Sequence, residues 1–230
     1  MSISIVNYQQ PPVTDGLIRF YDPQIEMSTG SILEQSGRGA AAGSGNGYSI
    51  TTTEPAYVTF INNATNRFTV PAATDLDWTD GTVVAWVYLN GSAAINYCFA
   101  NQRSGLTTNT RYSLHLNPSG NTLGIYNGTA FTTLSTTIDS GIWYCLAATL
   151  STTINTTFYK NGISVGTIAS STIRGATTGK TFEFGNSDSG FINESLAGRI
   201  GQVWNYSRRL TAEEINQIYQ RTRDRYGLFI

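Results

Sequence analysis

TVVAWVYL, the stretch from Thr82 to Leu89, is apolar at odd and even positions alike. Side chains of a strand point alternately to its two faces, so apolar groups on both mark a strand in the middle of a sheet, covered on either side. Outward from it, short runs rich in Val, Ile, Thr, Phe, Tyr and Trp recur between clusters of Gly, Asn, Pro and Asp. That alternation of β-formers and turn residues is the pattern of an antiparallel sandwich or barrel.

The pattern predicts strands over 17–22, 48–53, 56–61, 66–70, 81–90, 94–101, 110–117, 121–127, 130–134, 142–150, 155–161, 163–168, 180–185 and 196–207. Asn161-Gly162 between FYK and ISV reads as a type I′ hairpin, because both residues tolerate the positive φ that turn requires. Pro118, Ser119 and Gly120 mark a second hairpin. SGRGAAAGSGNG, from Ser36 to Gly47, holds too much Gly for a helix and reads as a surface loop. It lacks the Gly-Lys-Ser/Thr ending of a phosphate loop.

One helix is expected near the end of the chain. Thr211 and Glu214 form a capping box, each side chain satisfying the other residue's amide, and Ile215, Ile218, Tyr219 and Thr222 then follow at helical spacing. Gly227 supplies a left-handed end. Residues 1–15 read as an arm, since Pro11 and Pro12 lack donors and Thr14-Asp15-Gly16 is a turn; residues 16–230 are long enough for one sandwich domain.

Charged residues make up only 13% of the chain, and 32 Thr supply much of the polar surface, as suits pleated sheets. A formal charge of -1 without a dense basic cluster gives nucleic acid no counterions to release, so none is expected as a partner. Nowhere do eighteen apolar residues run together, and MSISIVNYQQPP has no basic, apolar leader pattern, so neither a membrane helix nor a signal peptide is expected. Two cysteines, Cys98 and Cys145, cannot build a disulfide framework; buried thiols are the preferred reading over a cross-strand bridge.

Four segments carry a resemblance that spans nearly the whole chain. GLIRFYDP at Gly16, FTVPAATDLDWTDGTVVAWVYL at Phe68, and the pair IWYCLAATL at Ile142 and FYKNGISVGT at Phe158 resemble successive strands of laminin-G-like domains in the concanavalin A-like lectin/glucanase class. The closing segment from Phe182 to Gly227 resembles that family's last strands and final helix. The resemblance implies an all-β, two-sheet antiparallel jelly-roll sandwich with a short C-terminal helix. It is similar to domains of tailed-phage structural proteins, which implies a non-enzymatic virion component: a capsid decoration, head fibre or tail part, assembled in the host cytoplasm and displayed at the virion surface. The arm would anchor it to capsid or tail neighbours by adding a segment to them. The alternative is an adhesin module that binds cell-surface glycans.

The family's hydrolytic members alternate carboxylates along one strand as Glu-x-Asp-x-Glu, and no such run exists here. Retaining glycosidases need two carboxyls about 5 Å apart. Asp75 and Asp77 flank a turn, and Glu213 and Glu214 sit in the helix cap. His115, the only histidine, shares the polar face of RYSLHLN with Ser113 and Asn117 and reads as a structural residue, solvated or hydrogen-bonded. No enzyme and no cofactor are expected.

Relatives often hold one rim calcium; here its oxygen donors would come from Asp22, Asp75, Asp77 and Asp188. Six Asn-x-Ser/Thr sequons follow from composition. Arg221, Arg223 and Arg225, with Arg208 and Arg209, could face an acidic partner; a solvated helix face near the negative end of the helix dipole is the preferred reading. For sugar recognition the candidates are Tyr97, Tyr126, Phe131 and Phe191, rings beside loops that could stack on a pyranose.

Overall fold

The computed structural model describes residues 11–28, 31–38, 43–61, 66–91, 97–103, 110–118, 120–127, 130–169, 172–174, 180–186 and 195–229. Its strands are β1 (Leu17–Ser28), β2 (Ser31–Glu34), β3 (Gly43–Asn46), β4 (Tyr48–Thr51), β5 (Tyr57–Phe60), β6 (Arg67–Val70), β7 (Asp80–Leu89) and β8 (Tyr97–Arg103). There follow β9 (Thr110–Asn117), β10 (Thr122–Tyr126), β11 (Phe131–Thr137), β12 (Trp143–Ser151), β13 (Thr156–Lys160), β14 (Ile163–Ile168), β15 (Phe182–Phe184) and β16 (Gly198–Tyr206), then helix α1 (Ala212–Thr222). The result is an all-β, two-sheet antiparallel sandwich with one short C-terminal helix.

Hydrogen bonding runs along one path, β11-β10-β9-β8-β15-β6-β3-β2-β1-β16-β7-β12-β13-β14, which folds over so that its two halves face each other. β5 adds to β16 beside β1, and β4 to β5. At the open side the two ends of the path meet, where Lys160 on β13 donates to the Thr137 carbonyl on β11 at 2.9 Å.

β7 lies at the centre, as its sequence implies. It pairs with β12 over nine residues, from Trp143 opposite Tyr88 to Ser151 opposite Asp80, and with β16 on its other side. Val83, Ala85, Val87 and Leu89 point between the sheets with Leu114, Leu116, Leu146 and Leu150, forming the main core. Val84 and Trp86 point the opposite way, into a second core shared with Phe20, Trp143, Trp204 and helix α1. Each layer buries apolar area at roughly 25 cal/mol per Å², and β7 contributes to both.

Local chemistry explains the joints. Asn161 and Gly162 take φ of 51° and 79°, the positive pair that a type I′ turn needs, and the Asn161 carboxamide oxygen accepts from the Cys145 amide at 3.0 Å. Between β9 and β10 the positive pair is Gly120 and Asn121, one residue later than the sequence suggests. The capping box is present: Glu214 N donates to Thr211 Oγ1 at 3.2 Å, and Thr211 N to Glu214 Oε2 at 2.8 Å. A hydrogen bond from Arg208 holds the Glu214 carboxyl below its ordinary range. Thr211→Ala is expected to cost about 1 kcal/mol of stability, read as a lower urea midpoint with an unchanged slope.

Four expectations need correction. The Ser36–Gly47 stretch is not all loop: β3 lies within it and pairs with both β2 and β6, because Gly, lacking Cβ, lets backbones approach where Phe68 packs over Gly43. β1 runs to Ser28 through bulges rather than ending at Asp22. The arginine run near the end is not uniformly solvated, because Arg225 turns inward to a carboxylate of β1. Residues 11–15, read as the end of an arm, pack on the domain: Val13 belongs to the second core and its carbonyl accepts from the Tyr206 hydroxyl at 3.1 Å. Residues 1–10 lie outside the described residues. Both cysteines are buried thiols. Among the described residues no helix is long and apolar enough to cross a membrane.

Candidate functional site

Strands β8, β9, β10 and β11 lie side by side, and register decides which of their side chains face away from the main core. Cys98 pairs with His115, His115 with Gly124, and Gly124 with Thr133; Asn101 pairs with Ser113, Ser113 with Tyr126, and Tyr126 with Phe131. Their neighbours Leu114, Leu116, Leu123 and Ile125 all point into the core, so these two cross-strand rows share the outer face.

That face has a polar floor and an aromatic edge. Cys98 Sγ lies 3.3 Å from Ser113 Oγ, and the Asn101 amide donates to the Asn186 carbonyl at 2.6 Å. His115 is fully buried there, edge-on to Phe131 at 4.7 Å between ring centroids. Phe131 is also 5.4 Å from Tyr126, at 32°. The Phe131 ring is 40% exposed on the outermost strand, and Tyr126 is half-buried. Gly124 is what lets β11 close on β10, since a Cβ there would come within 2.8 Å of the Thr133 methyl and 2.9 Å of the Thr132 carbonyl.

Of the four sequence candidates, the structure therefore brings Tyr126 and Phe131 together. It does not bring Tyr97 to them. Tyr97 pairs with Leu116, points between the sheets and is 4% exposed, so its ring is closed to a ligand, and burial pushes its pKa up. Phe191 and Asp188 lie outside the described residues. His115, read as structural, proved to be the base of the aromatic edge; its place opposite Gly124 was the signal, and it needs the register to be seen.

Two of the acids named as calcium donors, Asp75 and Asp22, are held by arginines. Asp75, in a 3-10 turn at Thr74–Leu76, gives both oxygens to Arg19, at 2.6 and 2.7 Å. Asp22 is joined to Arg225 at 2.6 Å. Beside Asp77, the fully buried Arg111 donates to the Leu76 carbonyl at 2.9 Å and to the Trp78 carbonyl, with its guanidinium 4.5 Å from the Trp78 ring. Burial pushes the Arg111 pKa down. A hard cation at this turn would compete with fixed guanidinium groups for the same oxygens. Among the described residues no group of three or more His, Cys, Asp or Glu is placed to hold a metal.

No sequence reading pointed to one further hollow. A cavity of about 470 Å³ opens between Pro11, Pro12 and the last turns of α1, against Phe20 and Trp204.

Comparison with known proteins agrees with the fold. Sequence comparison with curated proteins finds no match. The fold is similar to Trypanosoma rangeli sialidase in complex with sialic acid, at a TM-score of 0.70 and 15% identity over 96% of this chain and 35% of that one. A mutant of the same sialidase displaying trans-sialidase activity gives a TM-score of 0.72 at 15% identity, over 93% and 34%. The binding domain of Paraclostridial Mosquitocidal Protein 1 gives 0.68 at 17% identity, over 90% and 52%. The chain thus spans about a third of the sialidases and half of the toxin fragment. At such identities the likeness is one of fold. The family model described as the concanavalin A-like lectin/glucanases superfamily, of laminin G type, matches residues 62–216, more than half of the sequence, and the chain belongs to that superfamily.

Proposed function

We propose that this protein is a carbohydrate-binding module without catalytic activity, and that it receives a cell-surface glycan on the outer face of β8 to β11. The observation that carries the reading is the Phe131 ring, 40% exposed and braced by the half-buried Tyr126 and the buried His115. An apolar ring face suits the C–H side of a pyranose, while the exposed Thr133 hydroxyl, opposite Gly124 in the same outward row, is placed to meet one of its hydroxyls. The non-catalytic part is supported by the engagement of the acids: the buried Asp22 and Glu183 and the partly exposed Asp75 each meet an arginine, and the buried Glu34 accepts from the Phe20 and Ser36 amides. The setting we propose is a virion surface, with the segment ahead of the packed residues 11–15 as the anchor to capsid or tail neighbours; its support is the resemblance of the closing segment to tailed-phage structural domains.

A glycan array probed with the purified protein tests the reading. Binding to a defined set of neutral glycans is expected, and Phe131→Ala should weaken it about tenfold, the worth of one aromatic stacking contact. Because the ring sits on an edge strand, the thermal midpoint should hardly move. An unchanged array profile in the variant would overturn the site. Turnover of a polysaccharide, or binding to undecorated capsids with no sugar bound at all, would overturn the function.

A further inference from the structure

Among the described residues, the other outer face of the sandwich carries a cation with no anion. Arg199 on β16 pairs with Tyr88 on β7 and Thr59 on β5, and Tyr88 pairs with Trp143 on β12. Their neighbours Val58, Val87, Tyr144 and Ile200 point into the main core, so this row faces outward. The Arg199 guanidinium carbon lies 4.8 Å from the ring centroids of both Tyr57 and Tyr88. Trp143 backs the two tyrosines, at 6.0 and 5.5 Å. Arg199, Tyr57 and Tyr88 are all half-buried, so the group is held and still reachable.

Other arginines show what this one lacks. Arg19 and Arg208 meet carboxylates through two nitrogens, and Arg111 meets backbone carbonyls. Among the described residues neither a carboxylate nor a carbonyl accepts from Arg199, whose guanidinium lies over the two rings. Ring faces fix the plane of the guanidinium and shield it from water without using its N–H donors, which lie in that plane. The in-plane fork matches the two oxygens of a carboxylate, and holding it in advance lowers the ordering cost of binding.

We propose that Arg199, clasped by Tyr57 and Tyr88, is a binding site for a carboxylate carried on a sugar ring, the chemistry of a glycuronic acid. The carboxylate takes the guanidinium edge, and the sugar ring lies along the tyrosines. This site is on the sheet opposite β8 to β11 and does not rest on the function proposed for that face.

Methyl β-glucuronide and methyl β-glucoside differ only in the carboxylate, which makes them the probes. Titrated into the ¹⁵N-labelled protein, the glucuronide is expected to shift the Arg199 Nε–H signal with saturation in the millimolar range, and the glucoside to leave it still. Arg199→Gln should weaken glucuronide binding about tenfold or more. Arg199→Lys, which keeps the charge and loses the fork, should recover little of it. Both variants alter one half-buried side chain, and an unchanged thermal midpoint shows that the fold is intact. Equal response to glucoside and glucuronide, unchanged binding in either folded variant, or displacement by inorganic sulfate at equal concentration would each overturn the proposal, the last by showing a general oxyanion site.

Discussion

Trp86→Ala is expected to destabilise the domain by about 3–5 kcal/mol, the range for emptying a buried aromatic position. Trp86 is fully buried on β7, stacked 4.2 Å from Tyr226 and 6.0 Å from Tyr219, and its indole N–H donates to Thr222 Oγ1 at 2.9 Å. The ring is thus the contact through which the sheet holds helix α1 and the turn after it. Its loss leaves a cavity that the surrounding strands cannot close, since β7 is pinned by register on both sides. Urea unfolding should show the midpoint falling while near-ultraviolet dichroism loses part of its aromatic signal. Trp86→Phe, which keeps a ring and loses the hydrogen bond, should cost less than Trp86→Ala. A loss below 1 kcal/mol for the alanine variant would mean that the helix is not docked through this ring.

Asp22→Ala should cost about as much, roughly 3–5 kcal/mol, because it strands a charge rather than only removing a contact. Asp22 and Arg225 have side chains 9% and 11% exposed and meet at 2.6 Å. The same carboxylate accepts from Gln202 Nε2 at 2.8 Å and from the Gln24 amide at 3.0 Å. Burial by itself pushes the Arg225 pKa down, and the Asp22 hydrogen bond and charge more than reverse this. With Asp22 gone, Arg225 keeps only the half-exposed Glu54 as a charged partner. The double variant Asp22→Ala, Arg225→Met removes both charges and should lose less than Asp22→Ala alone, which separates the stranded charge from lost packing. If the double variant is the less stable one, the pair stabilises through packing and not through charge.

The strands that were legible before any coordinates are those with strong local signals. β7 announced itself by apolar residues on both faces, the β13–β14 hairpin by Asn161-Gly162, and α1 by the Thr211–Glu214 box. The short strand β3 was invisible because GSGN has no β-forming side chains; its existence comes from β2 and β6, which flank it. At the glycan face, Tyr126 and Phe131 could be proposed as rings beside a turn. Tyr97 looked equivalent and is not, since a residue's face depends on a register with β9 that shifts at a bulge between Cys98 and Ala100.

The residue sequence by itself determined the class of fold, the central strands, the hairpin turns and the capped helix, because each follows from side-chain periodicity or from the φ preferences of neighbouring residues. Only the tertiary structure decided that Arg225 meets Asp22 across 203 positions, that Arg199 rests between Tyr57 and Tyr88, and that His115 sits under Phe131. Such pairings depend on which strands lie side by side, and strand order is set by the packing of the whole sandwich rather than by any local run of residues.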